Sequence, residues 1–175
     1  MANCILRSYD AVNALKHGKE MTNVQKIIMI VSDPFAHSEF EFSSRHDNVS
    51  HSATMQGDFD GARFLPIDYS KHPERWISLI LPMTNEQEDR GYNMAKVLDG
   101  MPYDTVGVTS LATGWNIIKP NPNALWCSED VAEIIKESYG YGEDFKPDTF
   151  DPLDLFIEMY RRVAMTNTPP NKERP

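Results

Sequence analysis

The sequence predicts an α+β protein with an antiparallel sheet of about five strands, and three stretches carry that expectation. "HSEFEF" at 37–42 alternates with a strict period of two, the mark of a strand with two distinct faces. Thr84 and Gln87 form the T-x-x-Q pattern of a capping box, opening a helical segment that Gly100 stops. "SEDVAEIIKESYG" at 128–140 carries its apolar residues at helical spacing and also ends in glycine.

The strands come first along the chain. "QKIIMIVS" at 25–32 is an apolar, β-rich run stopped by Asp33-Pro34 and reads as a strand. In "HSEFEF", His37, Glu39 and Glu41 share one face, and Ser38, Phe40 and Phe42 share the other. "NVSHSATM", the turn "QGDFDG", "ARFLPI" and "RWISLILP" complete the sheet as short runs between turn residues. The helices follow. Over 85–99, Tyr92, Ala95 and Leu98, with Met94 and Val97 beside them, form a stripe expected to be buried, while Glu86, Glu88 and Asp89 suit the helix dipole without further partners. Residues 101–126 read as a long irregular connection. In the next helix Val131, Ile134, Ile135 and Ser138 share a face. A last helix opens with Asp151 as N-cap and Pro152 at its first position, and is expected to bury Leu155, Phe156, Met159 and Tyr160.

The length of 175 residues suits a single domain over 1–164, followed by a polar, proline-rich flexible tail over 165–175. A net charge of −9 opposes association with nucleic acid or anionic lipid; a basic partner surface, or simple solubility, fits it better. No run approaches the roughly 20 apolar residues of a membrane span, and the first residues lack a signal-peptide core. The expectation is synthesis in the cytoplasm, with association with a virus particle or release to a host cell left open. Two cysteines, Cys4 and Cys127, cannot build a disulfide framework; Cys4 is assigned to a mobile N-terminus, and both thiols are expected to be free. No phosphate-binding glycine loop or carrier-attachment site is present, so no cofactor is expected. "RHDNVSH" reads as a structural turn rather than as a metal site made by His46, Asp47 and His51.

Chemistry centres on Cys127, placed at the start of a predicted helix. The unpaired N–H groups there favour a thiolate, but Glu129 and Asp130 in the first turn oppose it by an amount comparable to the roughly 0.3–1 kcal/mol a helix end offers. Activation therefore requires an imidazole. His37 is the candidate base, because Glu39 on the same strand face could accept its ring N–H and fix the tautomer. His51 on the neighbouring predicted strand is the alternative orienting group. Trp76, Trp115 and Trp126 are assigned to core or cleft wall, and Trp126, beside the cysteine, could shield the thiolate from water.

Taken in order, "HSEFEF", "HSATMQGDFDGARFLPID", "HPERWISLILP", "GMPYDTVGV", "WCSEDVAEII" and "FDPLDLF" make the chain resemble the circularly permuted NlpC-like branch of the papain-like cysteine hydrolases. The likeness runs from about Phe35 to Phe156. It implies a permuted papain-like fold, in which a helix carrying Cys127 and two further helices pack on the sheet that carries His37. It also implies a peptide or acyl substrate: cell-wall peptides in many NlpC-like enzymes, lipid acyl groups in the permuted acyltransferases. Similar proteins also occur in tailed bacteriophages. By the same resemblance Tyr103 would lie near the cleft and help bind the developing oxyanion, with the backbone N–H of Cys127 or Ser128. The expected activity is hydrolysis of a peptide or isopeptide amide through an acyl-enzyme. The alternatives are lipid acyl chemistry and a non-catalytic papain-like module serving as a viral structural or adaptor protein.

Overall fold

Residues 2–56, 59–113 and 121–167 are described by a computed structural model. Its five strands are β1 (Ala2–Asp10), β2 (Phe35–Glu41), β3 (Ser50–Gln56), β4 (Phe59–Leu65) and β5 (Trp76–Met83), in the order β4-β3-β2-β1-β5. All neighbours run antiparallel, so the chain is α+β with an open antiparallel sheet. Among the described residues six α-helices accompany it: α1 (Ala11–Lys16), α2 (Asn23–Ser32), α3 (Asn85–Leu98), α4 (Thr105–Thr113), α5 (Cys127–Tyr139) and α6 (Pro152–Asn167).

The strand count matches the expectation, but its membership does not. The N-terminus is not a mobile segment; it is β1, paired with β2 along one edge and with β5 along the other. Cys4, Leu6 and Ser8 are fully buried on one of its faces, while Arg7 on the other reaches Glu41 of β2. The run at 25–32 is helical rather than extended. Thr22 accepts from the Gln25 N–H at 3.2 Å and Gln25 returns a bond to the Thr22 N–H at 2.9 Å, a capping box that outweighs the β preference of the isoleucines.

Three helices cover the buried sheet face. α3 and α5 pack on each other, and α5 also crosses β2 and β3. Val131, Ile134 and Ile135 of α5 join Phe40, Leu6 and Leu81 in the core. In α6, Asp151 caps through the Asp154 N–H at 2.8 Å, and Leu155 and Met159 are fully buried. Two expected core residues are outside it: Val97 is 71% exposed and Tyr160 59% exposed, each at the margin of its helix's apolar stripe. Glu88, read as a dipole-compensating surface charge, is instead fully buried, accepting from the Ser43 N–H at 2.8 Å and pairing with Arg45 at 2.9 Å.

The connection over 101–126 contains α4, and α6 runs to Asn167, through residues assigned to the tail. Trp115, residues 57–58 of the 56–61 turn and the tail from 168 onward lie outside the described residues.

Two features position the site. First, β2 and β3 pair only at Phe40↔His51 and Glu41↔Ser50. Toward the His37 end their ladder stops, and Ser52 Oγ donates to the Ser38 carbonyl at 2.6 Å instead. Second, β4 receives the segment before α4: the Ala62 N–H donates to the Met101 carbonyl and the Gly100 N–H to the Ala62 carbonyl, both at 2.8 Å. That approach requires Gly61, whose φ is +146° and whose missing Cβ would lie 2.3 Å from the Met101 oxygen. Replacing Gly61→Ala should lower unfolding stability by about 2 kcal/mol or more in urea titrations; an unchanged midpoint would contradict this docking.

Candidate active site

The start of α5 is fixed by three contacts. Trp126 Nε1 and Ser128 Oγ both donate to the Phe150 carbonyl, at 3.2 and 2.7 Å, and Glu129 accepts from the Trp126 N–H at 3.4 Å. Cys127 is thus the first residue of a helix whose opening turn is tied down. The strand of chain just before it is held by the Gly100–Asp104 motif. Leu125 N–H donates to the Pro102 carbonyl and Asp104 N–H to the Leu125 carbonyl, both at 3.0 Å. Asp104 also caps α4 through the Gly107 N–H at 2.7 Å and accepts from the Asn121 N–H at 2.9 Å. These bonds set Tyr103 beside Cys127, near enough that burial and the sulfur together hold the phenol's pKa well above its ordinary range.

His37 comes to the same sulfur from the sheet. Its Nε2 meets Glu39 Oε1 at 3.1 Å, leaving Nδ1 as the ring nitrogen available to Cys127. Burial by itself would lower the His37 pKa, but the Cys127 sulfur and the Glu39 carboxylate outweigh it and push the imidazole up to about 10. Glu39 is held from its other side by Tyr69, which donates to Oε2.

Of the two side chains the sequence left open as orienting groups, Glu39 bonds the His37 ring and His51 does not. His51 pairs with Phe40 across β2 and β3 and so occupies the opposite sheet face. There it is fully buried, its Nδ1 3.0 Å from Asp130 of α5 and its ring edge-on to Phe64. This contact gives Asp130, in the first turn of α5, a hydrogen-bond partner from the sheet. Burial, only partly countered by the Trp126 N–H, raises the Glu129 carboxyl to about 8. Glu129 therefore does not oppose an anionic sulfur at neutral pH as an ionised first-turn carboxylate would.

Trp126 is 1% exposed and belongs to the core beneath Gly107 of α4, whereas Trp76 lines the cleft. Ser128 spends its hydroxyl on Phe150, so only its backbone N–H faces the chemistry expected of it. His46 stacks on Tyr92 and bonds Asp89 at 3.3 Å, apart from His51. Among the described residues no group of three His, Cys, Asp or Glu side chains is placed to hold a metal ion.

A cleft of about 480 Å³ opens where β2 and β3 part. His37, Glu39 and Tyr103 line it, opposite Val24 and Ile28 of α2 and beside Met55 of β3. The Cys127 sulfur lies behind His37 and Tyr103, with no exposed surface. Sequence reasoning missed Tyr69 altogether: "IDYSKH" signals a turn, and nothing in it points 30 residues back to Glu39. No family model, curated protein or solved structure matches the chain.

The His37 shift has a consequence for stability. Its folded pKa of about 10 lies above the ordinary 6.5, so its contribution is fully present below about pH 6.5 and is lost as pH rises toward 10. The stability difference between the wild type and His37→Asn, measured by urea unfolding, should therefore narrow steadily over that window. A difference that stays constant across it would show that the imidazolium is not held as described.

Proposed function

We propose that the chain is a cysteine hydrolase of permuted papain-like type, cleaving an amide bond of a peptide or isopeptide through an acyl-enzyme on Cys127. The observation that carries this reading is that His37, bonded to Glu39, has its pKa raised by the neighbouring Cys127 sulfur, at a helix start and beside a cleft.

In this reading the thiolate adds to the carbonyl carbon. The oxyanion is met by the Tyr103 hydroxyl and by the backbone N–H of Cys127 or Ser128, groups that are in place before charge develops. The phenol is suited to donate, because burial and the neighbouring Cys127 sulfur hold its pKa well above the ordinary range. His37, as imidazolium, gives its proton to the departing amine, and the C–N bond breaks to leave a thioester. Water then attacks the thioester, His37 takes a proton from it, and the carboxylic acid leaves as the sulfur is regenerated. Glu39 holds the ring in the tautomer this cycle needs and is a positioning residue.

Amide hydrolysis is favoured over lipid chemistry because no helix among the described residues is long and apolar enough to cross a membrane, and no basic amphipathic segment offers a hold on a bilayer. One observation favours a second reading, a papain-like module that binds without catalysis. The sulfur has no exposed surface, so substrate must displace the wall in front of it.

Thiol labelling separates the two. Cys4 is an internal control: burial, with the Glu88 charge beside it, pushes its thiol up to about 12. Iodoacetamide at about pH 6 should modify Cys127 at least tenfold faster than Cys4, as read by peptide mass spectrometry, and His37→Ala should remove most of that advantage. Equally slow modification of both thiols would sink the enzymatic reading and leave the binding module.

A further inference from the structure

Tyr69 stands in a short helical turn, Tyr69–Lys71, which Asp68 caps by accepting from the Ser70 N–H at 3.1 Å. The turn points the phenol inward, and only 9% of the residue is exposed. Its ring is clamped on two sides. The Arg7 guanidinium lies 4.4 Å from the centroid, and the Trp76 ring meets it edge-on at 5.0 Å. Arg7 is itself fixed by Glu41 and by Ser78, so the clamp rests on β1, β2 and β5 together.

The directions of the hydrogen bonds follow from inventory. An ionised carboxylate only accepts, so the single Tyr69 proton goes to Glu39 Oε2. Ser50 Oγ lies 2.5 Å from the Tyr69 oxygen, and with the phenol proton already committed, Ser50 must donate. Ser50, Tyr69 and Glu39 thus form a one-way chain whose last link, Glu39 Oε1, is 3.1 Å from His37 Nε2. The charged neighbours on this sheet face include His37 and Glu41 of β2, Arg7 of β1 and Arg63 of β4, with Arg75 at the cleft; Arg7 pairs with Glu41, and Tyr69 donates to the second Glu39 oxygen.

We infer that Tyr69 is a positioning residue of the thiol site: its hydroxyl, ordered by Ser50, sets the rotamer of Glu39 and through it the orientation of the His37 ring toward Cys127. Glu39 is a long side chain with three rotatable bonds, and a single bond to a histidine two residues away on its own strand leaves it free to swing. The second bond removes that freedom before substrate arrives. This inference rests on the hydrolase reading for its use in catalysis, though not for the contacts themselves.

Tyr69→Phe keeps the ring that Arg7 and Trp76 grip and removes only the hydroxyl, so its melting temperature should stay within about 2–4 °C of the wild type. Alkylation of Cys127 by iodoacetamide should slow about tenfold, and the downfield proton resonance of the His37 Nε2–H should shift or broaden. In a Glu39→Gln background the same change should cost no further reactivity, since Tyr69 acts through that carboxylate. Ser50→Ala, which spares the phenol, should slow alkylation in the same direction and by less, and serves if Tyr69→Phe does not fold. An unchanged His37 resonance with unchanged alkylation in Tyr69→Phe overturns the inference. A wild type whose Cys127 is unreactive sinks the hydrolase reading instead, while the resonance shift still reports whether Tyr69 holds Glu39.

Discussion

The arrangement depends on how little of β2 is bonded to β3. Two residue pairs hold the strands together, and past them the ladder ends while both strands continue. A fully zipped pair would present two closed faces, with His37 on one side and the helix carrying Cys127 on the other. With the ladder short, His37 on one face and Cys127 at the start of the helix on the other are near enough for the sulfur to raise the His37 pKa. The gap also explains the Ser52 hydroxyl on the Ser38 carbonyl, a side chain satisfying a backbone acceptor that the next strand would otherwise have taken. The cleft opens at the same place for the same reason.

Electrostatic balance at the helix start is set by partners more than by the helix. A dipole contribution of roughly 0.3–1 kcal/mol cannot carry a cysteine's chemistry when two carboxylates share the first turn. The fold handles the two acids differently: Asp130 is bonded to a buried histidine, and Glu129 is kept protonated to about pH 8 by burial. What then dominates is the short-range meeting of imidazole and sulfur, reinforced by Glu39, which is strong enough to reverse the effect of burial on His37. The proposed chemistry needs that order of effects, because a proton must reside on His37 when the amine leaves.

Much of this was legible in the sequence, and the failures have physical causes. Period-two alternation placed His37 and Glu39 on one face, and the pair is bonded; helical spacing and the glycine stop located α5 and put Cys127 at its start. β1 was missed because a chain end is a poor guide: its alternation of Cys4, Leu6 and Ser8 with Arg7 was present, but strand status came from pairing with segments 25–36 and 67–81 residues away. At 25–32 the opposite error arose, with β-branched residues read as a strand although the T-x-x-Q cap at Thr22 and Gln25 was there to be seen. The choice between Glu39 and His51 could not be made from the chain, since it turns on which sheet face each side chain occupies relative to α5. Tyr69 left no signal, as its role exists only where a turn after β4 folds back over β2.

The link between β1 and β2 bears on what the cleft selects. These strands are antiparallel neighbours, and such a pair needs as few as two residues to join them. Here residues 11–34 intervene, forming α1 and α2. Sheet topology asks for almost none of that length. Lys19, Glu20, Thr22, Val24, Gln25 and Ile28 from it line the cleft facing His37. The insertion is therefore the wall of the site rather than a connection, mixing an apolar stretch with one charge of each sign at its rim. The groups of the proposed reaction come from β2, α5 and the motif at Gly100–Asp104, so this wall shapes the cleft without supplying any of them.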